Sequence, residues 1–447
     1  MGRGPAGYLP SADEGAFDRI CANLDSTWVE EALDATGTAT LRKRRLPAEQ
    51  VIWLVLGMAL YRHRPIAELV ERLDLVLPGK KGKTSPARSG VTQARTRVGP
   101  EPIRWLFEKS ATTWAHGQAR RQAWRGLALY GVDGTSARVP DSTWNRLHFG
   151  GQDGKRGESG YPMARAVTLT ALRSHLLAAM RFGPYGVSEQ EYAKELWPLV
   201  PDDSLCIVDR GFLSACVLVP LAREGMNRHW LLRARKNTAL RLVKKLGKGD
   251  ELVELEASWD ARQSDPSLPL RYTARAIRYQ HKGFQPQVLL TSLLDPEAYP
   301  ADELASLYHE RWEMELGYDE VKTEMLERQE AIRSQRPDGV AQELWGVALA
   351  YNLVRMEIER IATEAEVPSV RISFVAALRL IRDEWMWLAG ASPGAIPKHL
   401  RRLREDVSRF ILPPRRARSY PRAVKIQMSS YPRKRPTPLL ERRIRAQ

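Results

Sequence analysis

Four residue types that suit phosphate chemistry recur at fixed spacing in the stretch Leu307–Lys322, LYHERWEMELGYDEVK. They are Tyr308, Arg311, Glu315 and Lys322, in the pattern Y-x2-R-x3-E-x6-K. In an α-helix, at about 100° per residue, all four fall within a strip about 60° wide. A solvated helix face with an Arg311–Glu315 ion pair would also explain the pattern, since charged helix faces are common. The choice between the two interpretations depends on acidic residues elsewhere in the chain.

Two further carboxylates follow short apolar runs that are typical of buried strands. Asp133 ends LALYGVD and precedes Gly134, and Asp209 ends SLCIVD. Each aspartate on its own is typical of a turn at a strand end. Neighbouring strand ends, however, bring both carboxylates to one edge of a sheet, where a helix packed beside them can add Glu315. We therefore expect these three carboxylates to converge.

Three convergent carboxylates repel one another unless cations lie between them. Carboxylate oxygens are ligands that Mg²⁺ and Mn²⁺ prefer, and a pair of such ions about 4 Å apart drives phosphoryl transfer. One ion activates the attacking hydroxyl or water, and the other stabilises the leaving 3′ oxygen. The predicted metal ligands and catalytic residues are Asp133, Asp209 and Glu315. The other members of the helix pattern are predicted to hold non-bridging phosphate oxygens: Tyr308, Arg311 and Lys322.

The blocks VDGT, VDRGF and Y-x2-R-x3-E-x6-K resemble those of DDE transposases of the insertion-sequence-4 family of bacterial mobile elements. The resemblance extends from VTQARTRVG through the helix after Lys322 and leaves out the C-terminal tail. It implies Asp133, Asp209 and Glu315 as a metal-binding triad, with a β-rich insertion between the second and third acids. It also implies cut-and-paste transposition through a hairpin intermediate, in a dimer paired across two transposon ends.

The chain departs from some members of that family at one position. These members carry a base-stacking tryptophan just before the last inserted strand, where this chain has Gln287 and Val288. Trp259 or Trp230 would have to serve instead, although both are typical of core or sheet tryptophans. We assign neither of them to the site.

The elements that must position these residues indicate an α/β fold. Residues 123–237 follow the order of a ribonuclease H-like core, which is three strands, helix, strand, helix, strand. Ser188 and Glu191 form a capping box at the first of these helices. Residues 238–297 contain three strand-like runs, LVELEASWD, YTARAIRYQ and QVLLTSLL, and are predicted to be a small β-rich insertion. Residues 298–390 return to the core and end in two long amphipathic helices.

The two ends of the chain differ from this core. Residues 1–122 are predicted to be an all-helical DNA-binding domain, in which Gly99-Pro100 joins a helix-turn-helix-like pair. The side chains expected to reach DNA from this pair are Arg88, Gln93, Arg95 and Arg97. Residues 391–447 are a basic tail with eleven Lys or Arg and one acid from Pro413 to Gln447. Because this segment has six prolines and two SYPR repeats, we expect an extended arm that follows the DNA backbone.

Composition supports a nucleic-acid partner and excludes several other classes of protein. Lys and Arg outnumber Asp and Glu by 69 to 53 in 447 residues, giving a net charge of +16 and a pI near 9.8. This excess favours a polyanionic partner, most often nucleic acid. The family resemblance implies that this partner is double-stranded DNA, namely transposon terminal inverted repeats and target DNA. The longest apolar run, Val51 to Leu60, is too short to cross a bilayer, and the N-terminus lacks the apolar core of a signal peptide. We expect a cytoplasmic, nucleoid-associated protein.

Two alternatives to an active transposase remain open on the sequence. One is a ribonuclease H-like nuclease that only nicks or hydrolyses DNA. The other is a non-catalytic DNA-binding relic of a mobile element, which has no need of three carboxylates beside a phosphate-binding helix.

Overall fold

The computed structural model describes residues 24, 26–39, 46–73, 75, 86–154, 157, 158, 160–280, 285–327, 332–388 and 396–414. A mixed sheet of nine strands forms its centre. The strands are β1 Ala128–Arg138, β2 Met163–Ala171, β3 Leu177–Pro184, β4 Ser204–Val208, β5 Arg228–Arg233, β6 Arg241–Gly247, β7 Asp250–Glu256, β8 Arg271–Tyr279 and β9 Gln287–Thr291.

The spatial order of the strands is β3-β2-β1-β4-β5-β9-β8-β7-β6. The pairs β1–β4 and β4–β5 are parallel, and every other pair is antiparallel. The strands predicted as a separate β-rich insertion therefore extend the same sheet, because β9 pairs with β5. That segment also contains β6, which the sequence analysis missed.

Helices cover the sheet and form both ends of the described chain. They are α1 Ser26–Ala35, α2 Ala48–Leu60, α3 Ile66–Arg72, α4 Arg88–Val98, α5 Glu101–Ser110, α6 His116–Arg121, α7 Thr143–Phe149, α8 Glu189–Lys194, α9 Ala215–Arg223, α10 Trp259–Ser264, α11 Ala301–Tyr308, α12 Trp312–Asp319, α13 Pro337–Glu364, α14 Phe374–Leu388 and α15 Ile396–Ser408. None of the described helices combines the length and the apolar character that a membrane span requires.

The long helix α13 connects the N-terminal helices to the sheet. It packs against α2 and α5. The indole of Trp345 lies 5.3 Å from the ring of Phe107 on α5 and 5.0 Å from the ring of Phe182 on β3, centroid to centroid. Buried side chains of the N-terminal helices, the sheet and α13 consequently form one continuous core.

Most predicted elements are confirmed. Of the predicted capping box, the bond in which the Ser188 hydroxyl accepts from the backbone N–H of Glu191 is present, while the Glu191 carboxylate accepts a hydrogen bond from Lys194. Two local predictions are wrong. Asp133-Gly134 is not a turn at a strand end, because β1 continues to Arg138 while paired with β2. The helix from Leu307 to Lys322 is also not a regular α-helix.

That helix changes its winding twice. A 3₁₀ turn, His309–Arg311, separates α11 from α12, and a π-helical turn, Glu320–Met325, follows α12. Its apolar side chains face inward, with Leu307, Met314 and Met325 buried. The changes in winding alter the angles between side chains that a regular helix would give.

The helix-turn-helix-like pair is present as α4 and α5, with Gly99 between them at φ +67°. Arg95, however, points towards α13. Its guanidinium donates hydrogen bonds to Gln342 on α13 at 2.8 Å and to Ser334 at 3.1 Å. A contact with the buried carboxylate of Glu343, at 3.5 Å, completes this structural role. Arg88 and Gln93 remain exposed on α4.

Candidate active site

The strand register places Asp133 beside Asp209. Val132 of β1 pairs with Val208 of β4 in the parallel ladder, so the two aspartates are the next residues on neighbouring strands. Neighbouring strands lie about 4.8 Å apart. Both apolar runs are buried, because the parallel strands have both faces covered. The expectation that these strands bring the two carboxylates to one place is confirmed.

Helix α12 packs closely over this point because β1 has a glycine there. A Cβ atom at Gly131 would overlap the thioether of Met314, which is buried. One turn further along, the Tyr318 hydroxyl donates a hydrogen bond to the backbone oxygen of Asp133 at 2.5 Å. It also contacts the Thr168 hydroxyl on β2 at 2.9 Å. These contacts fix the helix that carries Glu315 against the strand that carries Asp133.

The members of the helix pattern lie around the aspartates. Arg311 donates a hydrogen bond to Glu315 at 2.7 Å, so the predicted i,i+4 pair exists. Burial of Tyr308 raises the pKa of its phenol, and the nearby charge of Arg311 opposes the rise. Arg311 also lies close enough to act electrostatically on both Asp133 and Asp209.

Asp133 has an unusual protonation equilibrium. Its Oδ1 accepts a hydrogen bond from the Gly134 N–H at 2.8 Å. Burial nevertheless raises the pKa of its carboxyl from 3.8 to about 6. The Gly134 hydrogen bond and Arg311 lower it, and the negative charges of Asp209 and Glu189 raise it further. The ionised carboxylate of Asp133 is therefore disfavoured mainly by its burial, and a bound cation would stabilise it.

Lys322 lies close enough to Asp133 for the charges of the two side chains to interact. Partial desolvation lowers the pKa of its ammonium, and the carboxylate of Asp133 opposes that change. The π-helical turn carries this lysine. Asp319, the other acid that the helix could offer, is exposed and accepts a hydrogen bond from the Thr323 hydroxyl at 2.6 Å.

The donor set suits a hard divalent cation in part. Asp133 and Asp209 supply adjacent carboxylates in a negative, partly buried environment, which a cation would relieve. Glu315 instead directs its carboxylate to Arg311, with 40% of its side chain exposed. Among the described residues, no group of three acidic, histidine or cysteine side chains is close enough to hold a metal ion.

Comparison with known proteins identifies the family. Residues 15–108 match the family "Insertion element 4 transposase N-terminal", and residues 126–353 match the family "Transposase DDE domain". The transposase InsG of the insertion sequence element IS4 of Escherichia coli K12 is 40% identical over 411 residues, covering 92% of each chain. The chain belongs to the insertion-sequence-4 family of DDE transposases.

Two further likenesses accompany this result. A putative transposase, InsZ, of Escherichia coli K12 is 37% identical over 222 residues, which is 49% of this chain and 73% of that one. A piggyBac transposase in a synaptic complex with hairpin DNA superimposes with a TM-score of 0.40 at 12% identity, covering 93% of this chain and 87% of that chain.

This transposase catalyses DNA transposition, a phosphoryl-transfer reaction on DNA. Its DDE domain is of a type that generally uses divalent metal ions. Asp133, Asp209 and Glu315 all lie within the matched segment 126–353.

A buried polar network beneath α12 escaped the sequence analysis. His175, in the turn after β2 at φ +61°, contacts Glu313 at 2.8 Å. Its other ring nitrogen lies 2.6 Å from Arg355 of α13. Arg355 pairs with Glu320, which also accepts a hydrogen bond from Tyr351 at 2.7 Å. Only the unusual number of charged residues on two amphipathic helices could have signalled this network.

Two other features were also missed. The carboxylate of Glu189 lies against Gly134 and adds a third negative charge near Asp133. A mostly apolar cavity of about 360 Å³ opens between β1, β2 and the helix that carries Lys322. Of the two tryptophans considered for base stacking, Trp230 is buried and Trp259 is 72% exposed.

Proposed function

We propose that this transposase performs metal-dependent cut-and-paste transposition. It cleaves DNA strands at the transposon ends, passes through a hairpin intermediate and joins the ends to target DNA. Asp133, Asp209 and Glu315 are the proposed catalytic and metal-binding residues. Two Mg²⁺ or Mn²⁺ ions, when bound, supply activation of the attacking hydroxyl or water and neutralise charge on the leaving 3′ oxygen.

The observation that carries this proposal is the register of the two central strands. Because Val132 pairs with Val208, the next residue on each strand is an aspartate. The pKa of Asp133 is raised to about 6. Burial is the main cause of this rise and the charge of Asp209 adds to it, so a divalent cation beside the two carboxylates would stabilise their ionised forms.

The chain's own cations are proposed to hold the reacting phosphate. Arg311 has a planar guanidinium that suits two phosphate oxygens at once, and it already lies near both aspartates. Lys322 adds a second positive charge on the side of Asp133. Tyr308 supplies a hydroxyl whose raised pKa keeps it protonated and able to donate a hydrogen bond.

Glu315 requires a change of partner in this proposal. In the present structure its carboxylate is paired with Arg311. Once Glu315 serves as a ligand, the guanidinium of Arg311 becomes available to the phosphate. The half-exposed position of Glu315 permits this exchange at small cost, because ion pairs at exposed sites contribute about 0–1 kcal/mol.

The strand order supports a ribonuclease H-like core for residues 123–237 and 298–390. The order β3-β2-β1-β4-β5, with β1, β4 and β5 parallel, is the arrangement expected of that core. Residues 238–297 are proposed as the insertion and residues 1–122 as a DNA-binding domain. Residues 391–447, mostly outside the described part of the chain, are proposed as a basic tail.

The proposed DNA partners are the terminal inverted repeats and the target duplex, and the proposed working form is a homodimer that pairs two transposon ends. The net charge of +16 supports a polyanionic partner. A DNA substrate in a bacterial cell accounts for the proposed location in the cytoplasm, at the nucleoid.

Alanine substitution tests the proposal. Asp133→Ala, Asp209→Ala and Glu315→Ala are each expected to abolish cleavage of a transposon-end duplex in Mg²⁺. Binding of the same duplex in a chelator should change little, since affinity comes from phosphate contacts. Asp319→Ala is the matched control and should cleave normally, because Asp319 is exposed and bonded to Thr323. Substantial cleavage by any of the first three variants would remove that residue from the triad.

A further inference from the structure

A run of basic residues leads away from the candidate active site to the far edge of the sheet. Between positions 233 and 249 the chain has seven Lys or Arg and no Asp or Glu. These residues, here called the basic run, are Arg233, Arg235, Lys236, Arg241, Lys244, Lys245 and Lys248.

The basic run begins at the active site. The positive charge of Arg233, at the end of β5, acts on the phenol of Tyr308 and lowers its pKa against the effect of burial. Arg235 donates hydrogen bonds to the backbone oxygens of Arg210 and Gly211, both at 3.1 Å. These two residues directly follow Asp209. The first members of the run are therefore fixed to the segment that carries a catalytic carboxylate.

The run ends on the edge strand β6, five strand positions from β4, the strand that Asp209 follows. At about 4.8 Å per strand, this distance is about 24 Å. Every residue of β6 except Leu246 is exposed. Lys244, Lys245 and Lys248 form no ion pair with any described residue, and the carboxylate opposite Lys245, Glu251, is already bonded to Arg278 at 3.2 Å.

We propose that β6 and the segment leading to it form a second DNA-binding surface, which holds backbone phosphates of a duplex outside the reacting phosphate. Exposed, unpaired lysines on a strand are suited to phosphates because they release counterions and need no base contact. At about 3.4 Å per base pair, a distance of about 24 Å corresponds to about seven base pairs. The duplex is thus expected to reach β6 about seven base pairs from the reacting phosphate.

Edge-strand lysines also discourage pairing between sheets of different molecules. That role needs only one or two charges on β6 itself. It does not account for the absence of acidic residues through the whole connection, or for the anchoring of Arg235 beside Asp209. A continuous phosphate-binding surface accounts for both.

The test compares Lys244→Ala/Lys245→Ala with Arg223→Ala/Arg262→Ala, which removes the same charge from two exposed arginines on α9 and α10, outside the proposed DNA-binding domain and the basic run. Binding isotherms of the full chain are measured in a chelator at three salt concentrations. The probes are a duplex ending at the transposon terminus and an unrelated duplex of equal length. Each neutralised phosphate contributes about 0.9 to the slope of log K against log salt. The slope should therefore fall by about 1.8 for the lysine variant, which loses two phosphate contacts, and stay unchanged for the control.

The outcomes separate the sources of DNA. A weaker slope confined to the transposon-end duplex assigns the surface to donor DNA, and a weaker slope on both duplexes assigns it to DNA of any sequence, including target DNA. The effect should disappear on end duplexes cut to fewer than about seven base pairs beyond the reacting phosphate on the β6 side. Equal slopes for the lysine variant and the unaltered transposase would overturn the inference, as would a change in oligomeric state alone.

This inference rests on the proposed reaction only for the direction in which the duplex runs. Cleavage of the end duplex by the unaltered transposase in Mg²⁺ is therefore measured in parallel. Intact cleavage with unchanged salt slopes would refute the second surface and leave the proposed chemistry standing. A weaker slope in the lysine variant, together with no cleavage by the unaltered transposase, would support the second surface and refute the proposed chemistry.

Discussion

The raised pKa of Asp133 makes a prediction about stability that needs no DNA. A carboxyl whose pKa is higher in the folded chain than in the unfolded chain destabilises the fold whenever it is ionised. A rise from 3.8 to about 6 corresponds to a penalty of up to about 3 kcal/mol, at about 1.4 kcal/mol per pKa unit. The penalty is fully present above pH 6 and absent below pH 3.8.

The substitution Asp133→Asn removes the charge and keeps an oxygen that can accept the Gly134 hydrogen bond. In a chelator at about pH 7.5, we expect the free energy of unfolding to rise by up to about 3 kcal/mol. The gain should shrink as the pH falls and vanish near about pH 4. Urea denaturation at a series of pH values measures both quantities. The control Asp319→Asn, at an exposed aspartate, should change stability by less than about 0.5 kcal/mol.

Divalent metal should remove most of the stability difference between the two proteins. At a Mg²⁺ concentration about 100 times its dissociation constant, the unaltered transposase gains about 2.7 kcal/mol, whereas the asparagine variant gains little. An asparagine variant that is no more stable in a chelator at neutral pH would refute the argument that Asp133 carries an electrostatic penalty. A gain that does not depend on pH would refute it equally.

Three further predictions concern the surroundings of the site. Lys322→Ala and Arg311→Ala should lower the cleavage rate less than removal of a triad residue does, because each deletes one charge from the phosphate clamp; single-turnover rates in Mg²⁺ measure this. Burial opposes ionisation of Glu320, but the charges of Arg355 and His175 outweigh this effect and lower the pKa of Glu320 from 4.5 to about 2. The contribution of this carboxylate to stability is therefore present above pH 4.5 and disappears towards pH 2. Glu320→Gln should therefore cost about 3–5 kcal/mol at about pH 6 in urea denaturation, with a smaller cost at about pH 3. Truncation after Leu412, which keeps the hydrogen bond from its N–H to Arg371, should flatten the salt slope of DNA binding by about 0.9 for each phosphate that the tail neutralises in the full chain; an unchanged slope would refute the basic arm.

The sequence predicted the placement of the two aspartates because it depends on local patterns. LALYGVD and SLCIVD are apolar runs typical of buried strands, and the order of elements between them makes the strands neighbours. The later course of β1 could not be predicted in this way. Asp133-Gly134 favours a turn locally, but pairing with β2 keeps the chain extended to Arg138.

Other features depend on partners that are distant in the chain. RLVKKLG lacks the alternation of a half-buried strand, and it forms β6 because β7 offers a free edge. Arg95 has the sequence context of a DNA-facing helix residue, yet Gln342, which is 247 positions away, and the neighbouring Glu343 hold it. Helix α12 packs against β1 and the π-helical turn after it packs against α13, and no single-segment pattern records these contacts.

The central claim is that Asp133 and Asp209 bind the metal that drives cleavage. Substitution of Asp209 by cysteine tests it most directly, because a thiolate binds softer ions far better than it binds Mg²⁺. Cleavage of a transposon-end duplex by Asp209→Cys is measured in Mg²⁺ and in Mn²⁺, beside the unaltered transposase and Asp209→Ala. We predict that the cysteine variant is inactive in Mg²⁺ and regains cleavage in Mn²⁺, while the alanine variant is inactive in both. Equal activity of the cysteine variant in the two metals, or rescue of the alanine variant, would contradict direct metal binding at this position.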